Sequence, residues 1–321
     1  MPSLFRTVLA KPDILKLLAL ATLALGIPAP AWCWGQAGHR IVAMIAEQRL
    51  SPEARGRVSH LLFDGRFTMP DVSACPDALR AAEKGHLRPD EEYCLTVAGS
   101  IPKDSSPWHY IDIPVPTSSH SLDEFCPGGN CIVAKIKSFT GVLGDASNDA
   151  ERRAALMYII HLIGDIYQPL HCVERKCDQG GNLEHVNFYL KNEERADHRL
   201  HSVWDSDLID KAMADARINE DRLYAASLLH MLKEKDAAEW SKKSIDEIAW
   251  EGHSIASHHV YRGIPEQDFC PVNGVAPEKP AHPVITDLTP GYEKDAANIV
   301  REQLLKAGVR LADVIEKTLA R

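Results

Sequence analysis

The feature that most constrains this chain is the stretch HLIGDIYQPLHC at residues 161–172. His161 and Asp165 are four residues apart, so on a helix their side chains lie on the same face, one turn from each other. Pro169 then ends the helix, and His171 follows in a loop. Two imidazoles and a carboxylate held close together are suitable ligands for a cation such as zinc. An exposed His–Asp pair on a helix surface is the alternative interpretation.

A second copy of the pattern favours the metal site. His201 and Asp205 repeat HxxxD forty residues later, within LHSVWD. Two such helices facing each other could supply ligands for more than one metal. His198 competes with His201 as a ligand, but only His201 is one helical turn from Asp205.

Composition limits the class of protein. The chain has 321 residues, of which 45% are hydrophobic, which is enough for a sizeable core in one large domain or two small ones. Its net charge of −9 at pH 7 gives no indication of a strongly basic surface that would bind polyanions. A role with nucleic acid would therefore need positive charge from another source, such as bound metal.

Residues 1–33 are predicted to be a signal peptide that is removed. Basic residues precede the apolar run LLALATLALGI, and small residues stand at positions 31 and 33, as a cleavage site requires. An uncleaved N-terminal anchor is the alternative. Cleavage would make Trp34 the first residue of a secreted or periplasmic protein, residues 34–321, with no membrane anchor.

Seven cysteines remain after residue 33, and in an exported protein we expect most of them to form disulfides. The pairs that spacing predicts are Cys126–Cys131, Cys172–Cys177 and Cys75–Cys94. Cys270 would then be left over. There is no zinc-finger CxxC pattern, so we do not expect sulfur ligands for a metal.

Apolar periodicity and helix-start signals predict an all-α fold, a single mainly helical domain with minor short strands. The predicted helices cover about 41–50, 52–63, 76–84, 130–144, 150–167, 200–214, 219–235, 240–262 and 291–319. Extended structure is predicted at 108–115 and 186–190. The predicted loops lie near Met69, at 86–108 and at the proline-rich stretch 265–290.

Five short motifs occur in a fixed order: WGxxGH from Trp34, WHYIDIP from Trp108, HxxGDIxQPLH from His161, GGN from Gly180 and LHxVWD from Leu200. Over nearly all of the chain after residue 33, this order resembles the S1/P1 nuclease family. These are zinc-dependent enzymes related to bacterial zinc phospholipase C.

The resemblance implies three zinc ions and nine ligands. The first ion takes the amine and carbonyl of Trp34 together with His39, and Asp165 bridges metals. The ligands of the other two ions are Asp77, His109 and His161 for the second, and His171, His201 and Asp205 for the third. The Trp34 amine can bind only when it is free, so signal cleavage would be a condition for activity.

Each ligand has an alternative interpretation: His39 could face solvent at the start of a helix, and His109 could belong to an edge strand. The family has Trp-Ala before the aspartate, whereas Cys75 and Pro76 precede Asp77 here, so Asp77 could instead be a charge that favours the start of a helix. His185 follows the GGN motif and competes for the third metal.

The resemblance also implies the chemistry. Asp77 would orient or deprotonate the attacking water, Arg80 would stabilise charge on phosphorus, and Asn182 would contact the phosphate. Tyr110 would stack on a base while Asp112 binds the base edge, which favours single strands. The implied function is hydrolysis of single-stranded DNA or RNA to 5′-phosphorylated nucleotides, with removal of 3′-phosphates from mononucleotides, by a monomer without a stable protein partner.

Two other functions are compatible with parts of this pattern. A phospholipase C-type enzyme would use the same metals on a lipid phosphodiester, but Tyr110 and Asp112 match a nucleobase pocket and no amphipathic membrane-docking segment is evident. A non-catalytic exported metal-binding protein is the other alternative. The intact ligand set argues against it.

Overall fold

A computed structural model describes residues 34–144, 148–188, 196–272 and 284–319. They belong to one compact unit that is mainly helical, as the sequence predicted. The predicted signal peptide lies outside the described residues. Within them, no helix is both long enough and apolar enough to cross a lipid bilayer.

Thirteen α-helices of very different length occur in the described residues. In chain order they are α1 Gln36–Arg49, α2 Pro52–Leu61, α3 Met69–Val72, α4 Cys75–Glu83, α5 Tyr93–Ala98, α6 Ile132–Gly144, α7 Asp149–Ile166, α8 Leu200–Ser202, α9 Leu208–Asp215, α10 Asp221–Met231, α11 Glu234–Trp240, α12 Ile245–Ile255 and α13 Pro290–Leu319. One π turn, Val203–Asp207, joins α8 to α9, and another, Ala256–Val260, follows α12.

The helix α7 is the centre of the fold. Asn148 caps its start by accepting hydrogen bonds from the amides of Ala150 and Glu151. From Ala155 to Ile166 every residue is buried, so this part of the helix is enclosed on all sides. Helices α1, α6 and α13 pack around it. His161 and Asp165 are therefore held in the buried centre of the protein.

Helices α1 and α13 approach each other unusually closely. A Cβ added at Gly308 would lie 2.3 Å from Cγ2 of Ile45, far inside van der Waals contact. Only a glycine allows this crossing, which brings α1 and its histidine against the core.

Three short strands form the sheet. They are β1 His185–Phe188, β2 Ala196–Arg199 and β3 Ile285–Asp287, in the order β2-β1-β3. Strand β1 is antiparallel to β2, with His185 opposite Arg199, and parallel to β3. The strand predicted at 186–190 is thus present, although its last two positions lie outside the described residues. The predicted loop 265–290 is described only in part, and it contributes β3.

Two predicted loops contain helices. At Met69 a short helix begins, because Thr68 and Asp71 form a capping box: each side chain bonds the backbone amide of the other residue. The prediction of a loop at 86–108 was also wrong, because α5 lies there and its Cys94 is fixed by a disulfide to Cys75. Helices α3 and α5 have only 4 and 6 residues, which is too short for a helical period of apolar residues to be recognised.

Two further predictions need correction. The single helix predicted at 240–262 is divided, because Ser244 and Glu247 form a capping box that starts α12 anew. The extended segment predicted at 108–115 begins as a 3₁₀ turn, Ser106–His109, and has only a single bridge, between Pro114 and Glu174.

The predicted disulfides Cys75–Cys94 and Cys126–Cys131 are present, but the predicted Cys172–Cys177 pair and the leftover Cys270 were wrong. Instead, Cys177 is bonded to Cys270. The amide of Phe269 donates to the carbonyl oxygen of Lys176 at 3.0 Å, which places the two cysteines side by side. Cys172 is a buried thiol that hydrogen-bonds the carbonyl oxygen of Ile166 at 3.5 Å.

We expect Gly308→Ala to destabilise the protein by about 1–3 kcal/mol, because the added methyl group must displace Ile45 or separate α1 from α13. The measurement is the midpoint of unfolding in denaturant. Gly56→Ala in α2 is the matched control: its Cβ would meet no atom within 4 Å, so it should be neutral or stabilise by up to about 1 kcal/mol. Equal effects of the two changes would contradict the close crossing.

Candidate metal centre

The carboxylate of Asp165 lies at the centre of a group of imidazoles. Its Oδ1 is 3.2 Å from Nε2 of His39 on α1, and its Oδ2 is 3.1 Å from Nε2 of His161, one turn earlier on α7. His109, in the 3₁₀ turn before residue 110, places Nδ1 3.0 Å from the same Oδ2. Helix α1, helix α7 and a distant turn thus converge on one carboxylate, and all four side chains are buried.

Asp77 completes this side of the site. It lies in the first turn of α4, and its Oδ1 is 3.8 Å from Nδ1 of His109 and 3.9 Å from Nε2 of His161. Arg80, one turn later, has Nη2 3.0 Å from the same oxygen. Cys75 and Pro76, which depart from the family pattern, therefore do not move Asp77 away from the histidines.

A second concentration of ligands lies beside the first. His201 and Asp205, from α8 and the π turn, bring Nε2 and Oδ2 to 3.3 Å. His171, in the 3₁₀ turn after Pro169, has Nε2 3.8 Å from Oδ1 of Asp205 and Nδ1 3.8 Å from Oδ1 of Asp165. The two HxxxD segments therefore meet through His171, and the π turn lies at a ligand position, where such turns often occur.

Eight of the nine predicted ligands fall into three buried groups whose ligand atoms lie within 4.8 Å of one another. The groups are His39 with His161 and Asp165; Asp77 with His109 and His161; and His171 with His201 and Asp205. The competing histidines are not in these groups: His185 is paired with Asp197 at 2.7 Å, and His198 with Asp207 at 2.8 Å.

Backbone carbonyl oxygens orient the imidazoles. In three of them Nδ1 lies within hydrogen-bond distance of a carbonyl oxygen: His161 and Ser73 at 2.8 Å, His171 and His109 at 2.8 Å, His201 and Gly180 at 2.6 Å. When Nδ1 carries the proton and donates it there, Nε2 keeps its lone pair and faces the cluster. Such outer contacts are typical of histidines that bind metals.

Gln168 orients Asp205 in the same way. Its Nε2 donates to Oδ1 of Asp205 at 2.6 Å, and its Oε1 accepts from the amide of Leu170 at 2.6 Å. Oδ2 of Asp205 is left buried without a hydrogen bond from any described residue. Sequence reasoning gave Gln168 no role, although it lies within the HxxGDIxQPLH motif.

The electrostatics of the site fit a bound cation. Burial opposes ionisation of Asp165, but positive charge on His161 and His171, whose own pKa values Asp165 raises, outweighs it and lowers the pKa of Asp165 well below the usual range. A bound cation would supply that positive charge instead and leave both imidazoles neutral. Burial lowers the pKa of His109 to about 4, so this imidazole is neutral. Among the described residues, no hydrogen bond satisfies Nε2 of His39, Oδ1 of Asp165 or Nε2 of His171. Inward-facing lone pairs of carboxylates and neutral imidazoles are the donor set of a metal site.

Trp34 is fixed next to these groups. It is completely buried, its indole Nε1 donates to the carbonyl oxygen of Gly164 at 2.6 Å, and the amide of Gly35 donates to the backbone carbonyl oxygen of Asp205 at 2.8 Å. Gly164 permits this packing, because a Cβ there would lie 2.8 Å from Nδ1 of His39. The ninth predicted ligand is thus held between the two HxxxD segments.

A cavity of about 370 Å³ opens above the cluster. Its lining includes the predicted substrate residues Arg80, Tyr110, Asp112 and Asn182, together with Glu174 and Gln179, which sequence reasoning missed. Burial, and then the nearby carboxylates of Glu174 and Asp178, raise the pKa of Asp112 to about 7.

The loop at 173–182, which forms one wall of this cavity, is held by a buried polar network. Arg175 donates to Oε1 of Glu184 at 2.7 Å and lies over the ring of Tyr261, with 4.1 Å from Cζ to the ring centroid. The hydroxyl of Tyr261 donates to Oδ2 of Asp178 at 2.6 Å. The disulfide from Cys177 fixes the same loop, so this wall is rigid.

Gly180 gives the loop its shape. Its φ is +60°, and a Cβ there would lie 2.5 Å from the carbonyl oxygen of Leu170. Its own carbonyl oxygen accepts from His201. The GGN motif therefore serves both the metal centre and the position of Asn182, whose Nδ2 donates to the carbonyl oxygen of Gln179 at 2.8 Å.

We expect Gln168→Glu to weaken metal binding about 10- to 100-fold, because a second carboxylate would replace the amide that donates to Asp205. The measurement is metal content after equilibrium dialysis against a graded series of chelator concentrations. Gln48→Glu adds the same charge on the exposed surface of α1 and should leave the metal content unchanged. Retention of all metal by Gln168→Glu at the chelator concentrations that leave wild type loaded would contradict this role.

Comparison with known proteins agrees with this geometry. Nuclease S1 of Aspergillus oryzae is 23% identical over 301 residues, covering 92% of this chain and 96% of that protein. Endonuclease 2 of Arabidopsis thaliana is 29% identical over 310 residues, covering 88% and 90%. Nuclease P1 of Penicillium citrinum is 26% identical over 291 residues, covering 88% and 97%. The profile of the S1/P1 Nuclease family matches residues 34–320, and the chain belongs to this family.

Proposed function

We propose that this protein is a zinc-dependent phosphodiesterase that hydrolyses single-stranded DNA and RNA to 5′-phosphorylated nucleotides and also removes 3′-phosphates from nucleotides. One observation carries the proposal: three buried groups of His and Asp ligands lie beneath a cavity lined by Arg80, Tyr110 and Asp112. Relatives along nearly the whole chain are named as nucleases and endonucleases, which supports the substrate class.

Zinc is the proposed metal, with three ions per chain. The donors are imidazoles and carboxylates without thiolate, a set that suits zinc, and Asp165 lies where it can bridge ions. Trp34 and His39 would hold one ion, Asp77, His109 and His161 the second, and His171, His201 and Asp205 the third. Bound zinc supplies an activated nucleophile near neutral pH and positive charge for the phosphate.

The residues around the metal ligands would orient the reaction. The Asp77 carboxylate, next to Arg80, would accept a hydrogen bond or proton from the attacking water. The Arg80 guanidinium, which lines the cavity, would stabilise the charge that develops on the phosphoryl oxygens. Asn182, which lines the same cavity, would contact the phosphate.

Tyr110 and Asp112 would bind the base. Stacking on Tyr110 requires a base that has left its own stack, so single strands are favoured over duplexes. The base edge would bind Asp112, which is half-buried in the same cavity. Such a pocket would bind nucleic acid through a single base and would not need a basic groove. This is compatible with the net charge of −9 of the chain.

Export would complete the site. We propose that residues 1–33 are a signal peptide and that residues 34–321, the catalytic domain, function outside the cytoplasm, in the periplasm or beyond, as a monomer without a membrane anchor or stable protein partner. Three disulfides are typical of an oxidising compartment. The burial of Trp34 beside His39 supports a role for its amine and carbonyl as ligands.

The alternatives predict different substrates. A phospholipase C-type enzyme would hydrolyse phosphatidylcholine vesicles and leave single-stranded DNA intact, whereas a non-catalytic metal-binding protein would act on neither. Assaying both substrates with the zinc-loaded protein therefore separates all three functions. Duplex DNA serves as a third substrate, and we expect it to be cleaved more slowly than the single strand.

We expect Asp165→Asn to lose zinc and nearly all nuclease activity, because the neutral amide removes the bridging charge that three imidazoles face. Zinc content and single-strand cleavage are measured in parallel. Wild type should lose activity on dialysis against a chelator and regain it with zinc. A variant that kept both its metal and its activity would refute the assignment of Asp165.

A free amine at Trp34 should be necessary for full metal loading. A chain that begins at Trp34 should bind three zinc ions, and the same chain with one added N-terminal alanine should bind two, with greatly reduced activity, because an amide nitrogen is a poor ligand. Mass spectrometry of the N-terminus verifies each preparation. Three zinc ions and full activity in both chains would exclude the amine as a ligand.

A further inference from the structure

Two carboxylates, rather than one, line the cavity on the side where Tyr110 lies. Asp112 is the residue expected to bind a base edge, and Glu174 lines the same cavity. Both are half-buried. Sequence reasoning and the family resemblance gave Glu174 no role.

The backbone holds Asp112 and Glu174 next to each other. The amide of Glu174 donates to the carbonyl oxygen of Ile113 at 2.9 Å, and the amide of Val115 donates to the carbonyl oxygen of Glu174 at 3.0 Å. These bonds form a parallel bridge between Pro114 and Glu174. Main-chain hydrogen bonds therefore fix the segments that carry the two acids side by side. This placement of the two segments does not depend on side-chain conformation.

Neither carboxylate has a donor of its own. Within the described part of the chain, no side chain or backbone group hydrogen-bonds or ion-pairs with the carboxylate of Asp112 or Glu174. Both carboxylates line the cavity, so a ligand there that supplies N–H groups can donate to either of them, and partial burial strengthens such bonds. A phosphate group is repelled here, so the ligand that fits is a neutral donor-rich group beside an aromatic ring.

Nucleobases differ in how many donors they present. Guanine carries N1–H and the N2 amino group on one edge, so that one carboxylate can accept two hydrogen bonds and a neighbouring carboxylate can accept another. Cytosine and adenine each present one amino group beside an acceptor nitrogen, and uracil and thymine present a single N–H between two carbonyl groups. When both groups are ionised they can only accept hydrogen bonds, and such a pair is most complementary to guanine.

We infer that Glu174, together with Asp112, makes this enzyme prefer guanine at the base that stacks on Tyr110. The inference rests on the proposed nuclease function and adds a specificity-determining residue to it. Stacking on Tyr110 is available to every base. The two carboxylates would supply the discrimination, and a bidentate base contact typically changes relative rates by about tenfold or more.

The test uses dinucleotides hydrolysed by the zinc-loaded protein. One series varies the first base among the four, with adenine second, and the other varies the second base, with adenine first. We expect one series to show kcat/KM about tenfold higher for guanine than for adenine, with cytosine between them. Glu174→Gln should reduce that ratio to within about twofold of one, because one of the two acceptors for the guanine edge becomes a neutral amide. Glu124→Gln, which removes one charge from an exposed position, should keep the full preference.

The outcomes separate this inference from the proposed function. If zinc-loaded wild type hydrolyses none of the dinucleotides, the proposed function itself fails. If it hydrolyses them but shows no guanine preference in either series, or if the preference survives in Glu174→Gln, the role of Glu174 is overturned while the nuclease stands. A preference for adenine would overturn the role of Glu174 as well. Adenine presents an acceptor nitrogen beside its amino group, so such a preference would indicate a protonated carboxyl group that donates to the base.

Discussion

The site depends on a single carboxylate, Asp165, which is fully buried and faces Nε2 of His39, Nε2 of His161 and Nδ1 of His109 at 3.0–3.2 Å. Removing a carboxylate from water is costly unless opposite charge compensates for it. Asp77 and Asp205 are buried nearby. Among the described ion pairs of these three carboxylates, Arg80 is the one arginine or lysine that takes part, and it pairs with Asp77. A fold that encloses so much negative charge is suited to be completed by cations.

The rest of the structure holds this centre in place through the backbone. Residues 155–166 of α7 are enclosed on all sides, so His161 and Asp165 cannot shift without disrupting the core. Carbonyl oxygens of Ser73, His109 and Gly180 turn three imidazoles inward. Metal ions would neutralise the buried carboxylates and offer positive charge to a phosphate. A protein that is acidic as a whole can then bind a polyanion through this one cavity, without a basic surface.

The sequence predicted which histidines and aspartates come together at this centre better than it predicted their surroundings. The spacing of HxxxD shows which residues share a helix face, and the ordered motifs brought His39 and His109 into the set. Gln168 meets Asp205, and Glu174 lies beside Asp112, only because segments distant in sequence come together in the fold. The spacing of apolar and polar residues along one segment does not predict such contacts. The same holds for the Cys177–Cys270 disulfide, which joins residues 93 apart: short spacing favoured Cys172, but Phe269 and Lys176 bring the partners together. Helices α3 and α5 were not predicted because they lack apolar periodicity. A capping box fixes the start of α3, and a disulfide holds α5.

The central claim is that the buried His and Asp residues enclose a cluster of zinc ions around Asp165. The most direct measurement is a crystal structure of the zinc-loaded protein beginning at Trp34, with anomalous diffraction recorded on both sides of the zinc absorption edge. We expect three zinc peaks, two of them bound by oxygens of Asp165 and the third by His171, His201 and Asp205. Peaks confined to surface histidines such as His258 and His259, with none near Asp165, would contradict it.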